Sequence, residues 1–467
     1  MRTKCTFDPD ARAWAKDQWS GVELGDARLS ARAVGVGTRL LQRPAASLPQ
    51  QMQTRAELKG AYALLKNPKV THERLQAPHW AATRQATADE PVVLMVQDTA
   101  ELDYTHYADT MHGLGPIGNG GGRGLLLHST LAIVPESRRV LGIAHQRIAL
   151  RVPIPEGTTR RQRPPEERES RLWWEAVREL GSPPAGTRWV LVADRGADQN
   201  TLWAQCDATR MDFLIRVCYE HRLLSPSPEA EYLLSTVRQW PSRGEQHLPL
   251  CATPKRKARE ARMQISFGPL EVRVSRKRNA PGLRLWAVRS WEPDPPLGAE
   301  AVEWILVTSC AVETLEEAKQ MLAWYTARWL VEDYHQCLKT GCAVERRDLE
   351  QRERIERLLG FLALVALRLL QLRQEVRQEP ERPAHQVAPA MAVALMAARL
   401  KKKPEQLSVR EFWRAVANLG GFLGRKRDGE PGWKTLWRGW LEVEAWMQGI
   451  ELATHASLLE LHPATYG

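Results

Sequence analysis

The chain has 467 residues, enough for two to four domains and a large core. Lys and Arg number 66 against 55 Asp and Glu, leaving a formal charge of +11 that attracts polyanions, most simply nucleic acid. Seven scattered cysteines argue against a disulfide framework, and the most apolar run, 358–372, contains Arg368 and is too short to span a membrane, so a cytoplasmic protein is expected.

Residues 1 to about 75 have a helical pattern. No apolar signal-peptide core precedes it. Asp26 is placed to cap a helix through Val34 and Leu41, and Asn67-Pro68 to end another containing Tyr62, Leu64 and Leu65. Arg28, Arg32, Arg39, Lys59, Lys66 and Lys69 make this region either a DNA-facing helical module or a helical cap with a solvated basic face.

From about residue 90 the pattern turns to short β-rich runs. VVLMVQ (92–97) stops at Asp98, and LLLHSTLAIV and VLGIAHQRIAL follow as hairpin strands. Between them lies a glycine-rich segment, 113–124. Gly113-x-Gly115-x-x-Gly118 satisfies a dinucleotide-binding pattern, but Pro116 interrupts it and a strand follows instead of a helix. It is expected to be a flexible loop near the site, approaching DNA through Arg123. The helix ERESRLWWEAVREL then leads to WVLVA (189–193), which stops at Asp194, and to FLIRV (213–217). Three strands, a helix, a strand and later a long helix are the order of a ribonuclease H-like α/β fold.

Residues of about 223–300 break this rhythm. LEVRVSR and LRLWAVRS alternate in the β manner beside Lys255-Arg256-Lys257 and Arg276-Lys277-Arg278, and Pro293, Pro295 and Pro296 close the block. A β-rich insertion is expected, rejoining the core at EWILVTS (303–309). The segment WYTARWLVEDYHQCLKTG follows. On a continuous helix turning about 100° per residue, Arg328, Glu332 and Lys339 lie at roughly −60°, −20° and −40° from Tyr325, so one stripe would carry an acid, two cations and a phenol. Cys337-x4-Cys342 with His335 lacks a second ligand pair and is taken as structural, not zinc-binding. Beyond an apolar helix and the Pro-rich linker QEPERPAHQVAP comes a helical segment with Trp433, Trp437, Trp440 and Trp446, a cluster suited to core packing or to self-association.

Asp98 and Asp194 each follow an apolar strand, and Glu332 lies on the polar stripe. Three carboxylates from distant segments are a natural cage for two hard cations, which suits in-line phosphoryl displacement.

QDTAELDY around Asp98, VADRGADQ around Asp194, and Tyr-x2-Arg-x3-Glu-x6-Lys at 325–339 together resemble the bacterial cut-and-paste DDE transposases of the transposon-five type, in the insertion-sequence-four family. Further similarity lies in WAK and LGDARLSAR near the start, GAY and NP at 60–68, and LGGF at 419–422. The resemblance implies a DNA transposase that binds inverted-repeat ends as a homodimer, cleaves them through a hairpin intermediate, and joins the 3′-OH ends to target DNA. It would work in the bacterial cytoplasm, on the nucleoid when DNA-bound. By position, Asp98, Asp194 and Glu332 would be the catalytic and metal-binding acids, taking two Mg²⁺ ions (Mn²⁺ possible). Arg328 and Lys339 would hold phosphates, Tyr325 the DNA backbone, Trp304 a flipped base, and Arg216 DNA. Gly196 departs from the family, which often has an acidic residue there. The implied architecture is α/β: a helical DNA-binding domain at 1–75, a ribonuclease H-like catalytic domain with a β-rich insertion at 76–375, and a helical dimerisation domain at 376–467. A related metal-dependent nuclease, or a transposase-derived DNA-binding protein without activity, are the alternatives.

Overall fold

In the computed structural model the described residues are 11–153, 157, 163–224, 231–250, 258–273, 282–378, 380–425 and 429–455. Both basic tracts, 255–257 and 276–278, lie outside them, as does the side chain of Trp433. The chain forms two units. One holds Met1–His79, Leu102–Leu114 and Asp333–Gly467; the other holds Trp80–Glu101 and Gly115–Glu332.

The first unit is helical. It opens with α1 (Ala11–Trp19), α2 (Ala27–Gln42), α3 (Leu48–Gln51), α4 (Arg55–Lys66) and the start of α5 (His72–Thr87). Asp26 starts α2 by accepting the Arg28 N–H at 2.8 Å, satisfying one of the orphan amides of the first turn. Thr54 does the same for α4, which stops at Asn67 because Pro68 cannot continue it. Trp19 packs so closely on α2 that a Cβ at Gly37 would overlap its ring. Arg39 pairs with Glu57 at 2.7 Å, linking α2 to α4, while Arg28, Arg32, Lys59, Lys66 and Lys69 are exposed.

The second unit is built on one ten-stranded sheet. In chain order its elements are β1 (Val92–Asp103), β2 (Gly115–Ile117), β3 (Gly122–Ile133), β4 (Val140–Ala149), α6 (Arg171–Leu180), β5 (Arg188–Ala193), α7 (Asn200–Ala208), β6 (Asp212–Arg216) and α8 (Leu233–Gln239). There follow β7 (Gly244–Leu250), β8 (Arg259–Val272), β9 (Leu283–Trp291), β10 (Glu303–Thr308) and α9 (Leu315–Thr326). The strands run β2-β3-β1-β5-β6-β10-β9-β8-β7, with β4 on β3. The run β4-β3-β1-β5-β6 is the ribonuclease H-like core, and β1, β5 and β6 are parallel. Parallel strands are covered on both faces, and β5 is accordingly buried from Trp189 to Ala193. Its aromatic neighbours Trp203 and Phe213 stack at 5.9 Å, and burying one such ring stabilises by about 2–3 kcal/mol.

Two expectations need adjustment here. The β-rich insertion is an edge extension of the main sheet, because β10 pairs antiparallel with both β6 and β9. And β1 does not end at Asp98: it runs on to Asp103, buried from Val93 through Gln97, half-buried from Asp98 to Glu101, buried again at Leu102 and exposed at Asp103. What ends there is the core, not the strand.

The segment carrying the predicted stripe is not one helix. α9 stops at Thr326, residues 327–328 form a turn, α10 (Trp329–Gln336) begins anew, and Cys337–Gly341 is a π-type turn. The amides of Arg328 and Val331 bond three residues back, to Tyr325 and Arg328, so the turn is tightened and the helical phase is lost. The remaining helices of the first unit are α11 (Arg352–Gln378), α12 (Ala390–Arg399), α13 (Val409–Leu419) and α14 (Trp433–His455). The expected linker is pinned: the Ala384 amide bonds the Leu407 carbonyl at 2.8 Å, and the Val409 amide the Arg382 carbonyl at 2.8 Å. Among the described residues no helix is long and apolar enough to cross a membrane.

The tryptophans of α14 divide. Trp437 and Trp440 are core, with Trp440 against Trp413 at 5.7 Å; Trp446 is exposed, as are Leu441, Ile450 and Leu452. α13 and α14 touch backbone to backbone. A Cβ at Gly439 would overlap the Val416 carbonyl, and one at Gly420 the Thr435 carbonyl.

Glu444 on α14 is largely enclosed, and burial pushes its carboxyl up to about 7 against the Trp440 indole N–H that it accepts at 2.7 Å. The folded state then binds a proton that the unfolded chain has released, so stability should fall as pH rises from about 4.5 through about 7. The expected slope is on the order of 1 kcal/mol per pH unit, flattened in Glu444→Gln. Thermal melts between pH 5 and 8 measure it; equal slopes in both proteins would remove Glu444 as the cause.

Candidate active site

The site begins with register. Val96 on β1 pairs with Val192 on the parallel neighbour β5, so two residues further on Asp98 and Asp194 leave adjacent strands at the same level. Each carboxylate is braced by a backbone amide just after it. Asp98 accepts the Thr99 amide at 2.8 Å, and Asp194 caps the turn Arg195–Ala197 by accepting the Gly196 amide at 2.8 Å. Glu332 stands in the first turn of α10.

Arg328, in the joint between α9 and α10, lies among these acids. Its guanidinium is 2.6 Å from Glu332 and 3.9 Å from Asp98. Burial first, and then the Asp194 charge, raise Asp98 to about 6, with Glu332 adding to this and the Thr99 amide and Arg328 opposing it. Negative charge is thus crowded beyond what one guanidinium neutralises. Hard oxygen donors with unbalanced charge fit divalent cations. Among the described residues no three His, Cys, Asp or Glu side chains are already closed around a cation position, since Arg328 sits between Asp98 and Glu332.

The other expected residues have these places. Tyr325, in the last turn of α9, is buried with its ring edge-on to Trp304 at 5.5 Å, and burial raises its phenol despite the nearby Arg328. Trp304 on β10 and Arg216 at the end of β6 line an open cavity of about 1030 Å³, with Arg195, Arg238 and Arg259 around it. Arg216 donates to the Glu303 carbonyl at 2.9 Å, which brings its guanidinium beside Trp304. Lys339 belongs to the first unit, where it pairs with Glu345 at 3.0 Å. Cys337, Cys342 and His335 are all buried; burial pushes Cys342 up to about 12 and His335 down to about 3, so each favours its neutral form.

Sequence reasoning missed several neighbours. Asp198, buried, accepts the amides of Cys218 (2.6 Å) and Tyr219 (2.8 Å) and pairs with His221 at 2.6 Å, tying the turn after β5 to the exit of β6. The second acid of VADRGAD was its only signal. Arg195 and Arg238 became visible only through the cavity they share. His128 on β3 and Trp173 on α6 lie beneath the two aspartates, and a lone histidine in LLLHSTL was the one hint.

Profiles of known families match most of the chain in three consecutive blocks. The transposase DNA-binding profile covers residues 11–70, the transposase DDE domain residues 164–368, and the transposase Tn5 dimerisation domain residues 364–458. The DDE match includes Asp194 and Glu332; Asp98 lies ahead of it. DNA binding, metal-dependent strand chemistry and dimer formation are the attributes of these three blocks, in that order along the chain. With a ribonuclease H-like sheet carrying acids on adjacent strands, this protein belongs to the Tn5-type DDE transposases of the insertion-sequence-four family.

Proposed function

We propose that the protein, as a homodimer, cuts DNA at the inverted-repeat ends of a mobile element and joins the freed 3′-OH ends to target DNA. The observation carrying this reading is that, within one unit, Asp98 and Asp194 stand level on adjacent strands while Arg328 joins Asp98 to Glu332. Asp98, Asp194 and Glu332 would hold two Mg²⁺ ions, or Mn²⁺. Bound cations supply charge neutralisation at the phosphoryl oxygens and a more acidic attacking oxygen. Arg328, displaced from the acids by the incoming cations, would turn to a phosphate near the scissile bond. Lys339 would exchange Glu345 for a second phosphate, and Tyr325 would border the DNA backbone.

Hairpin formation demands that a 3′-OH bend back onto the opposite strand, which requires an extruded base. Trp304 is suited to stack that base: its ring borders the basic cavity, held edge-on by Tyr325, and Arg216 is beside it to meet a flanking phosphate. We assign end recognition to a domain at 1–75, catalysis to 76–375 with its insertion, and dimerisation to 376–467. The exposed Trp446 and Ile450, one turn apart on α14, would carry the last. The site of action would be the bacterial cytoplasm, at the nucleoid.

The test is an incubation of purified protein with Mg²⁺ and DNA bearing the inverted repeats that flank its gene. Double-strand breaks with hairpinned ends are the expected product, resolved on denaturing gels. Cleavage without hairpins would leave a nuclease, and tight binding without cleavage an inactive DNA-binding derivative.

A further inference from the structure

Between Asp98 and Asp194 the second unit holds a buried chain of contacts that the reaction itself does not call for. Thr99, the residue after Asp98, meets His128 Nδ1 through its hydroxyl at 2.8 Å. His128 is fully buried on β3, and its ring lies edge-on to Trp173 of α6, with centroids 4.9 Å apart at 74°. The six-membered edge of Trp173 in turn faces Gly196: a Cβ there would stand 3.0 Å from Trp173 Cζ2 and 3.1 Å from Asp194 Oδ1. Gly196 closes the chain by donating its amide to Asp194 Oδ1 at 2.8 Å.

Gly196 has no positive φ to explain it. Its turn is an ordinary one that alanine could adopt, so what requires glycine is the indole on one side and the carboxylate on the other. The bulk that a side chain at 196 would supply comes instead from Trp173, reaching in from α6. We infer that His128 and Trp173 are positioning residues: together with Gly196 they set the spacing and orientation of Asp98 and Asp194, and hence how well the two acids share a cation. The assignment rests on these two aspartates being the acids of the strand-cleavage reaction.

The physical case is one of rigidity. Like-charged carboxylates on adjacent strands repel; Asp98 accepts the amide of the next residue in β1, and Asp194 the amide two residues on in its turn. An edge-to-face ring pair, packed against Thr99 on one side and Gly196 on the other, resists the outward relaxation that such repulsion would drive. Groups supporting metal ligands from behind typically govern affinity or activity by 10–100-fold.

The experiment uses the full-length protein and four chains: wild type, Gly196→Ala, Trp173→Phe, and the double variant. Mn²⁺ is titrated calorimetrically, and cleavage is measured at saturating end-bearing DNA. Gly196→Ala should weaken Mn²⁺ binding and slow cleavage by about tenfold each, with end affinity unchanged. Phenylalanine at 173 lacks the outer ring edge and makes room for the new methyl, so the double variant should recover most of both losses. A merely structural role would shift melting temperature alone and leave Mn²⁺ affinity untouched. Unchanged Mn²⁺ affinity in Gly196→Ala, or a defect that Trp173→Phe does not relieve, would overturn the inference. If wild type binds Mn²⁺ and the variants lose and regain Mn²⁺ affinity as stated while no chain cleaves end DNA, the functional reading fails and the positioning role stands.

Discussion

Replacing Glu332 with alanine is expected to lower metal-dependent cleavage of end-bearing DNA by at least about 10³-fold, equivalent to about 4 kcal/mol of lost transition-state stabilisation. The carboxylate is one of three that would hold the cations, and neither aspartate can reach across to replace it from β1 or β5. The fold should be indifferent. Glu332 is half exposed, and its ion pair among the described residues is with Arg328 at 2.6 Å, a contact worth at most about 1 kcal/mol. End binding should be equal or slightly tighter, because Arg328 loses its partner while keeping its charge. Gel cleavage with Mg²⁺ and filter binding on the same preparation separate the two effects. A purified Glu332→Ala protein that still cleaves within about tenfold of wild type would place the third acid elsewhere.

Gly439→Ala should be the most damaging conservative change in the C-terminal helices. Two effects oppose each other. On helix propensity alone, alanine would stabilise α14 by about 1 kcal/mol. The new methyl, however, overlaps the Val416 carbonyl oxygen, which is backbone and cannot rotate away, so α13 and α14 must separate. Separation opens the Trp413–Trp440 contact and loosens the core that supports the exposed apolar residues of α14. The second effect wins, by a net loss of about 2–3 kcal/mol. Denaturant unfolding should show that loss, and sedimentation should show a shift from dimer to monomer, with single-site DNA binding kept. An unchanged midpoint with dimers intact would mean that the crossing is looser than drawn here.

How well the sequence anticipated the molecule depended on the range of the interactions. Asp194 was readable because WVLVA is an unbroken apolar run and its strand does end there. Asp98 was misjudged as a strand end, since β1 runs on to Asp103 through the mostly polar, half-buried stretch 98–101, which the apolar pattern does not reveal. β7 escaped notice because GEQHLPL alternates weakly and carries Pro249, which ordinarily argues against a strand and is admissible here at the sheet's edge. The stripe from Tyr325 to Lys339 was assigned the wrong scaffold. Periodicity cannot see two joints in one helical run. His128 and Trp173 were invisible for a different reason: their partners lie 29 residues (Thr99) and 23 residues (Gly196) away in sequence, and only the sheet brings them together.

The break between α9 and α10 bears on how this segment can vary. A face of a continuous helix is periodic, so adding or removing two turns restores its phase and leaves its pattern usable. A run interrupted at 327–328 and again at 337–341 has no such period. Each interval, three residues from Tyr325 to Arg328, four to Glu332 and seven to Lys339, is fixed by a different local geometry. Length changes of any size in this stretch, whole turns included, should therefore be as disabling as loss of the acid itself. The intervals behave as a jointed rule, in which each arm has its own length and none can stand in for another.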